Sequence, residues 1–187
     1  MDLQLTKDLD LKVKAPLDQK FFPPIIFKKL YQAQISNFGN SEEFLIAIER
    51  ESGVVTRYQL EITCDESLKS DTVFYIERTI KFLLWSRGGF KVMVSGPQAI
   101  CQQLKDLFSF EGERDFDCKL MSRVYDEKFT FEVMDNSALP LENKIGKSIG
   151  GHMSGDRIGF DLGASDYKLS AVSEGEVKFS TEIPWNP

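Results

Sequence analysis

The sequence predicts an α/β chain of the α+β kind: a mixed β-sheet with two main helices, followed by a separate run of strands. Three observations carry this. From Glu43 the residues FLIAIER, ESG and VVTRYQLEIT form two β-rich runs around a short glycine-containing turn, the pattern of a hairpin. Val73, Ile76, Ile80, Leu83 and Leu84 then recur at three- and four-residue steps, the period of an amphipathic helix over 72–87. Beyond Gly155, RIGFDLGAS, YKLSAVSEG and EVKFSTEIP are three strand-like pieces separated by small and polar residues.

Taken in order, residues 1–24 alternate leucine with Asp and Lys and then meet Pro16, Pro23 and Pro24. Fixed φ and missing N–H groups discourage long regular elements there, so an arm or edge strand is expected. After the hairpin, Asp71 is placed to cap the helix and Gly88 to end it in a left-handed cap, with Arg87 suited to the negative end of the helix dipole. FKVMVSG is the next strand, and Pro97 opens a second helix over 97–108 with Ile100, Leu104, Leu107 and Phe108 on one face. Glu111 to Asp115 is expected as a solvated turn. FDCKLMSRVY and KFTFEVM, separated by Asp126 and Glu127, are expected to pair as a second hairpin. Asp135 to Gly155, rich in Gly, Ser and charge and including Gly150-Gly151-His152, is expected as a linker or loop. An N-terminal domain over 1–150 and a second over 151–187 follow.

Composition excludes several functions. With 23 Lys and Arg against 29 Asp and Glu the formal charge is −6, and no nucleic-acid partner is expected because a phosphate backbone calls for clustered cations. The longest apolar runs, Phe21 to Phe27 and Phe82 to Trp85, are far shorter than a bilayer span of about 20 residues, so no membrane partner is expected. The N-terminus lacks the apolar core of a signal peptide, which predicts a cytoplasmic location. Cys64, Cys101 and Cys118, three at unrelated spacings, suit neither a disulfide framework nor a zinc site and are expected as reduced core thiols. His152 has no identifiable orienting partner and is expected as an ordinary loop residue. The acidic pairs do not by themselves define a hydrolase's carboxylates. Fifteen phenylalanines supply rings whose natural destination is a packed interior.

The chemistry lies between Arg157 and Val172. An apolar strand, RIGF, delivers Asp161 to its end, Gly163 permits a tight turn, and the chain returns through a strand bearing Lys168. Such a turn can hold a phosphate: the backbone N–H groups of Gly163, Ala164 and Ser165, the Ser165 hydroxyl and the Lys168 ammonium are the candidate donors, and Asp161 is the candidate Mg²⁺ ligand. Aspartate and glycine are equally standard hairpin residues, so a plain turn in a binding or regulatory module is the alternative.

IGFDLGASDYKLSAVSEGEVKF resembles the first phosphate-binding hairpin of the actin-like ATPase superfamily, and within it the ROK group of bacterial sugar kinases and related regulators. In that group an I-G-x-D-x-G-G-[ST] strand opens the lobe and G-E-[VI] starts the third strand. FYIERTIKFLLWSRGGFKVMVSG and SFEGERDFDCKLM also resemble an extra N-terminal domain carried by some longer ROK-like proteins. The resemblance implies that residues 151–187 begin an actin-like (ribonuclease H-like) ATPase domain, that Asp161 is the Mg²⁺-associated aspartate, and that Gly163 and Ser165 are phosphate-loop positions. It further implies ATP and Mg²⁺ as cofactors and a sugar as substrate. Ala164 stands where the group has a second glycine, and Asp166 adds negative charge beside the turn. The group's later catalytic aspartate, second phosphate loop, adenosine pocket and frequent zinc motif have no counterpart before Pro187, so the chain is expected to be an N-terminal fragment without catalysis of its own. Three short strands bury too little alone. They are expected to dock on residues 1–150, on another copy in a homo-oligomer, or on further chain.

Overall fold

The computed structural model describes residues 3–7, 9–19, 21–39, 41–143 and 154–185. By contact the chain divides into two compact units, Met1–Ile145 and Gly146–Pro187. In the first, β1 (Glu42–Arg50) and β2 (Val54–Ile62) form the expected hairpin, registered from Glu42 opposite Ile62 to Arg50 opposite Val54 around a 3-10 turn at Glu51–Gly53. β3 (Lys91–Ser95) lies antiparallel on the other side of β1, and β4 (Thr130–Val133) lies parallel to β3, giving the order β2-β1-β3-β4. Among the described residues four helices accompany this mixed sheet: α1 (Pro24–Phe38), α2 (Lys69–Arg87), α3 (Gln98–Leu107) and α4 (Asp115–Tyr125). The fold is therefore mixed α/β. Among the described residues no helix is long and apolar enough to cross a membrane.

Several expectations are corrected. FDCKLMSRVY is helix α4 and not the first half of a hairpin. Its short apolar residues fit both periods, but Cys118 and Met121 are buried one turn apart, and acids in its first turn with Arg123 in its last suit the helix dipole. Topology agrees: β3 and β4 run parallel, which requires a crossover, and α3 and α4 supply it. Of the arm or edge strand expected before Pro24, no strand forms among the described residues and the segment is an arm; the chain then enters α1, a helix not expected from the sequence. Its signals were Pro24 at the first helical position and Phe27, Tyr31 and Ile35 at four-residue steps, all three buried. Gly88 ends α2 at φ 77 and ψ 173, a glycine-only extended geometry and not the left-handed cap; an added Cβ would also overlap the Tyr125 hydroxyl. Cys101 and Cys118 are buried, but Cys64 is exposed; all three are free. Burial raises each thiol first of all, Cys64 and Cys101 to about 11 and Cys118 to about 12, so they stay protonated at neutral pH. The stretch expected as a linker is in part structural: Leu139 is buried against Leu45, Ala47, Val55 and Met93, and Asn143 bridges to Val55 through N–H···O bonds of 3.2 and 3.0 Å. Gly150, Gly151 and His152 lie outside the described residues.

Alternation assigns the two faces of the sheet. Phe44, Ile46 and Ile48 of β1, Leu60 and Ile62 of β2, Val92 and Val94 of β3 and Phe131 of β4 form one apolar surface, and all four helices pack into the same cluster. Leu45, Ala47 and Met93 face the other way, under the segment that carries Met134 and Leu139.

Helix α2 is buried around most of its length, and its buried polar residues Asp71, Thr72 and Glu77 each meet a partner from elsewhere. Asp71 is not the N-cap, since the helix starts at Lys69; its carboxylate accepts from the backbone N–H groups of Gln4 (2.9 Å) and Leu5 (3.0 Å), tying the N-terminal arm to the first turn. Thr72 donates to the Thr63 carbonyl (3.1 Å), and the Tyr31 hydroxyl lies 2.8 Å from Thr72 while accepting from the Thr63 N–H (3.1 Å). Because Thr72 spends its proton on Thr63, Tyr31 donates to Thr72, and a closed ring joins α1, the end of β2 and α2. Glu77, 2% exposed, lies against the guanidinium groups of Arg114 and, at 3.0 Å, Arg78. Glu111 to Arg114 form the expected turn with Glu111 and Glu113 exposed, but Arg114 is turned inward to pair with the buried Glu77. Asp117 accepts from the Trp85 indole (2.6 Å) and pairs with Lys81 (3.1 Å).

Two predictions follow from these groups. Tyr31→Phe leaves the buried Thr63 N–H without its acceptor and should cost about 1–3 kcal/mol in urea unfolding, with the native spectrum unchanged; a cost near zero would show the ring to be incidental. Desolvation raises the Glu77 carboxyl above its ordinary value, opposed by Arg78 and Arg114. The folded state therefore holds a proton that the unfolded chain releases first. Glu77's contribution is complete below the unfolded value and is lost as pH rises through the folded one. In unfolding titrations from about pH 4 to 7, Glu77→Gln should gain stability relative to wild type as pH rises; a pH-independent difference would refute it.

Candidate functional site

The second unit is a three-stranded antiparallel sheet, β5 (Asp156–Leu162), β6 (Asp166–Ser173) and β7 (Glu176–Pro184), in the order β5-β6-β7. Its register sorts the side chains. Phe160 faces Leu169 and Thr181 across the sheet, and Leu162 faces Tyr167 and Ile183, giving an apolar face. On the other face Asp161, Lys168 and Glu182 stand in one row across the three strands. The apolar side chains of β5 are open to solvent, Ile158 at 79% and Phe160 at 62% exposure.

Hairpin closure brings Asp161, Gly163, Ala164, Ser165 and Lys168 to one end of this sheet. The Gly163 N–H donates to the Asp166 carbonyl at 2.8 Å, so the backbone donors that could face an anion are those of Ala164 and Ser165 at the exposed tip. A Cβ on Gly163 would come within 2.9 Å of that carbonyl oxygen, closer than real side chains stand, so the glycine is set by the tightness of the turn. Ser165 Oγ donates to Asp166 Oδ2 at 3.1 Å. Lys168 Nζ lies 3.5 Å from Asp166 Oδ1 and 3.9 Å from Glu182 Oε1. Asp166 first, then Glu182 and at longer range Asp161 raise the lysine's pKa, so one ammonium serves three carboxylates.

Trp185, which the sequence reading did not single out, fastens the turn from β7: its backbone N–H donates to the Ser165 carbonyl and its indole N–H to the Gly163 carbonyl, each at 3.0 Å. Its ring meets Tyr167 edge-on at 6.0 Å. Glu182 was likewise invisible without the register that sets it opposite Lys168. Among the described residues no group of three or more His, Cys, Asp or Glu side chains is placed to hold a metal ion. Two cavities, about 710 and 620 Å³, are lined by the N-terminal arm and the start of α1, including Leu9, Leu11, Lys14 and Phe21, and by no residue of this turn.

No protein-family model matches the chain, and no curated protein matches it significantly.

Gly163→Ala should open the turn at a cost of about 1–3 kcal/mol, by analogy with forced overpacking. Hydrogen exchange at the Trp185 amide and indole should quicken while the β1 and β3 amides are unchanged. Unaltered protection at Trp185 would show that the turn accepts the methyl group.

Proposed function

We propose that residues 154–185 begin the phosphate-binding lobe of an actin-like ATPase of the ROK type, and that the whole protein transfers a phosphoryl group from ATP to a sugar in the cytoplasm. The observation that supports this is the local geometry: a strand carrying Asp161 runs into a tight Gly163 turn, and Lys168 returns directly across from Asp161. Asp161 is an exposed carboxylate, and Mg²⁺ commonly binds through one or two carboxylates together with substrate phosphates and water. When bound, the metal supplies charge neutralisation at the β- and γ-phosphates. The chain's own contribution is positional. The amides of Ala164 and Ser165 and the Ser165 hydroxyl would orient the terminal phosphate, and Lys168 would face its charge. Asp166 disfavours a bare phosphate, so nucleotide would enter as its metal complex.

Phosphoryl transfer needs the metal, both phosphate loops and an activated hydroxyl in one cleft. Among the described residues there is a single such turn, and this chain alone should phosphorylate no sugar.

A second reading, a non-enzymatic binding or regulatory module, is favoured by the three carboxylates around one lysine and by the open apolar face. Kinetics on the full-length protein separate the two. Asp161→Asn keeps size and removes charge, so it should lower MgATP-dependent sugar phosphorylation about a hundredfold with little change in thermal unfolding. Ser165→Ala removes one hydroxyl and should cost about 1 kcal/mol. Wild-type turnover in a folded Asp161→Asn protein, or no turnover of any sugar by the wild type, would leave the module reading in place.

A further inference from the structure

The outer edge of β5 presents a row of backbone hydrogen-bonding groups. Gly155 O accepts from Glu174 N, and Gly163 N donates to Asp166 O. Odd-numbered residues of β5 therefore spend their polar groups on β6, and antiparallel alternation turns those of Asp156, Ile158, Phe160 and Leu162 outward. Among the described residues no strand pairs with that edge. The opposite edge is protected by common devices: β7 has a register shift opposite Ala171 and Val172, carries Glu176, Lys178 and Glu182, and ends at Pro184. β5 has no bulge, lysine or proline.

We propose that this edge is a self-association site, in which β5 of one copy pairs antiparallel with β5 of a second copy about a two-fold axis at Gly159, joining the two three-stranded sheets into one. The register is selected by charge. With Gly159 facing itself, Arg157 stands directly opposite Asp161 of the second copy, and the symmetry repeats that pair. Centring on Arg157 or Asp161 sets like charges face to face, and centring on Ile158 or Phe160 sets the charges opposite glycines. The Gly159 register also satisfies the backbone. Ile158 and Phe160 of the second copy become a hydrogen-bonded pair through their outward groups, and their side chains form an aromatic and β-branched cross-strand contact on the apolar face. Gly159 and the Arg157–Asp161 pairs fall at the non-hydrogen-bonded positions, where strands approach most closely. Arg157 donates from Nη2 to Ser154 O at 2.7 Å, and its guanidinium has further donors for the carboxylate. Asp161 shares Lys168 with Asp166 and Glu182, so a second cation across the edge is electrostatically favoured.

The test is sedimentation equilibrium of residues 1–187, without nucleotide or metal, from micromolar to near-millimolar chain. The wild type should show a reversible monomer–dimer equilibrium. Arg157→Asp and Asp161→Arg should each weaken it about tenfold or more, and the double swap, which restores opposite charges, should return the dissociation constant to near the wild-type value. Ile158→Pro removes an outward N–H only, so it should abolish the dimer while circular dichroism stays native. A monomer at every concentration, single reversals without effect, or a double swap no better than the singles would overturn the proposal. Because no nucleotide is present, failure here leaves the phosphate-turn reading standing, and failure of sugar phosphorylation leaves the dimer standing.

Discussion

The first unit depends on how helix α2 can be buried at all. A helix covered on most sides has no water for its polar side chains, and an unpartnered buried group costs more than a hydrogen bond returns. Asp71, Thr72 and Glu77 are each nearly inaccessible, and each is answered by a different part of the chain: the arm at Gln4 and Leu5, Tyr31 with Thr63, and Arg114 at the start of α4. The same groups that would penalise misassembly thus specify which elements surround α2. Asp117 extends this logic outward, holding Lys81 and Trp85 against α4. Packing of Phe27, Ile76, Val92 and their neighbours supplies the nonspecific driving force.

The second unit follows a simpler rule. Alternation near the turn gives one apolar and one charged face, and the hairpin register turns scattered residues into the row Asp161, Lys168 and Glu182. That row carries net negative charge beside the turn. A metal–phosphate complex and the arginine of a second copy are both cations or cation-bearing groups in search of such a carboxylate. The two functional ideas therefore draw on one electrostatic fact and on the same Asp161 carboxylate, and they are separated by their tests.

Much of the fold was legible locally. The β1–β2 hairpin, the α2 and α3 helices and the strands of the second unit are visible in residue periodicity because period-two and period-3.6 patterns are properties of neighbours along the chain. The candidate turn was legible for the same reason: Asp161, Gly163, Ser165 and Lys168 lie within eight residues and a hairpin closes them together. What periodicity could not resolve was α4, whose short apolar spacing fits two periods until parallel pairing of β3 and β4 requires a crossover. Nor could it reveal that Asp71 serves the arm, that Arg114 meets Glu77, or that Trp185 and Glu182 reach the turn. Those relations join residues far apart in sequence, and their energies exist only when burial excludes water and register sets distance. The sequence by itself determined the α/β class, most strands and the residues of the candidate turn; tertiary structure alone decided which charges are buried together and which strand edge is left open.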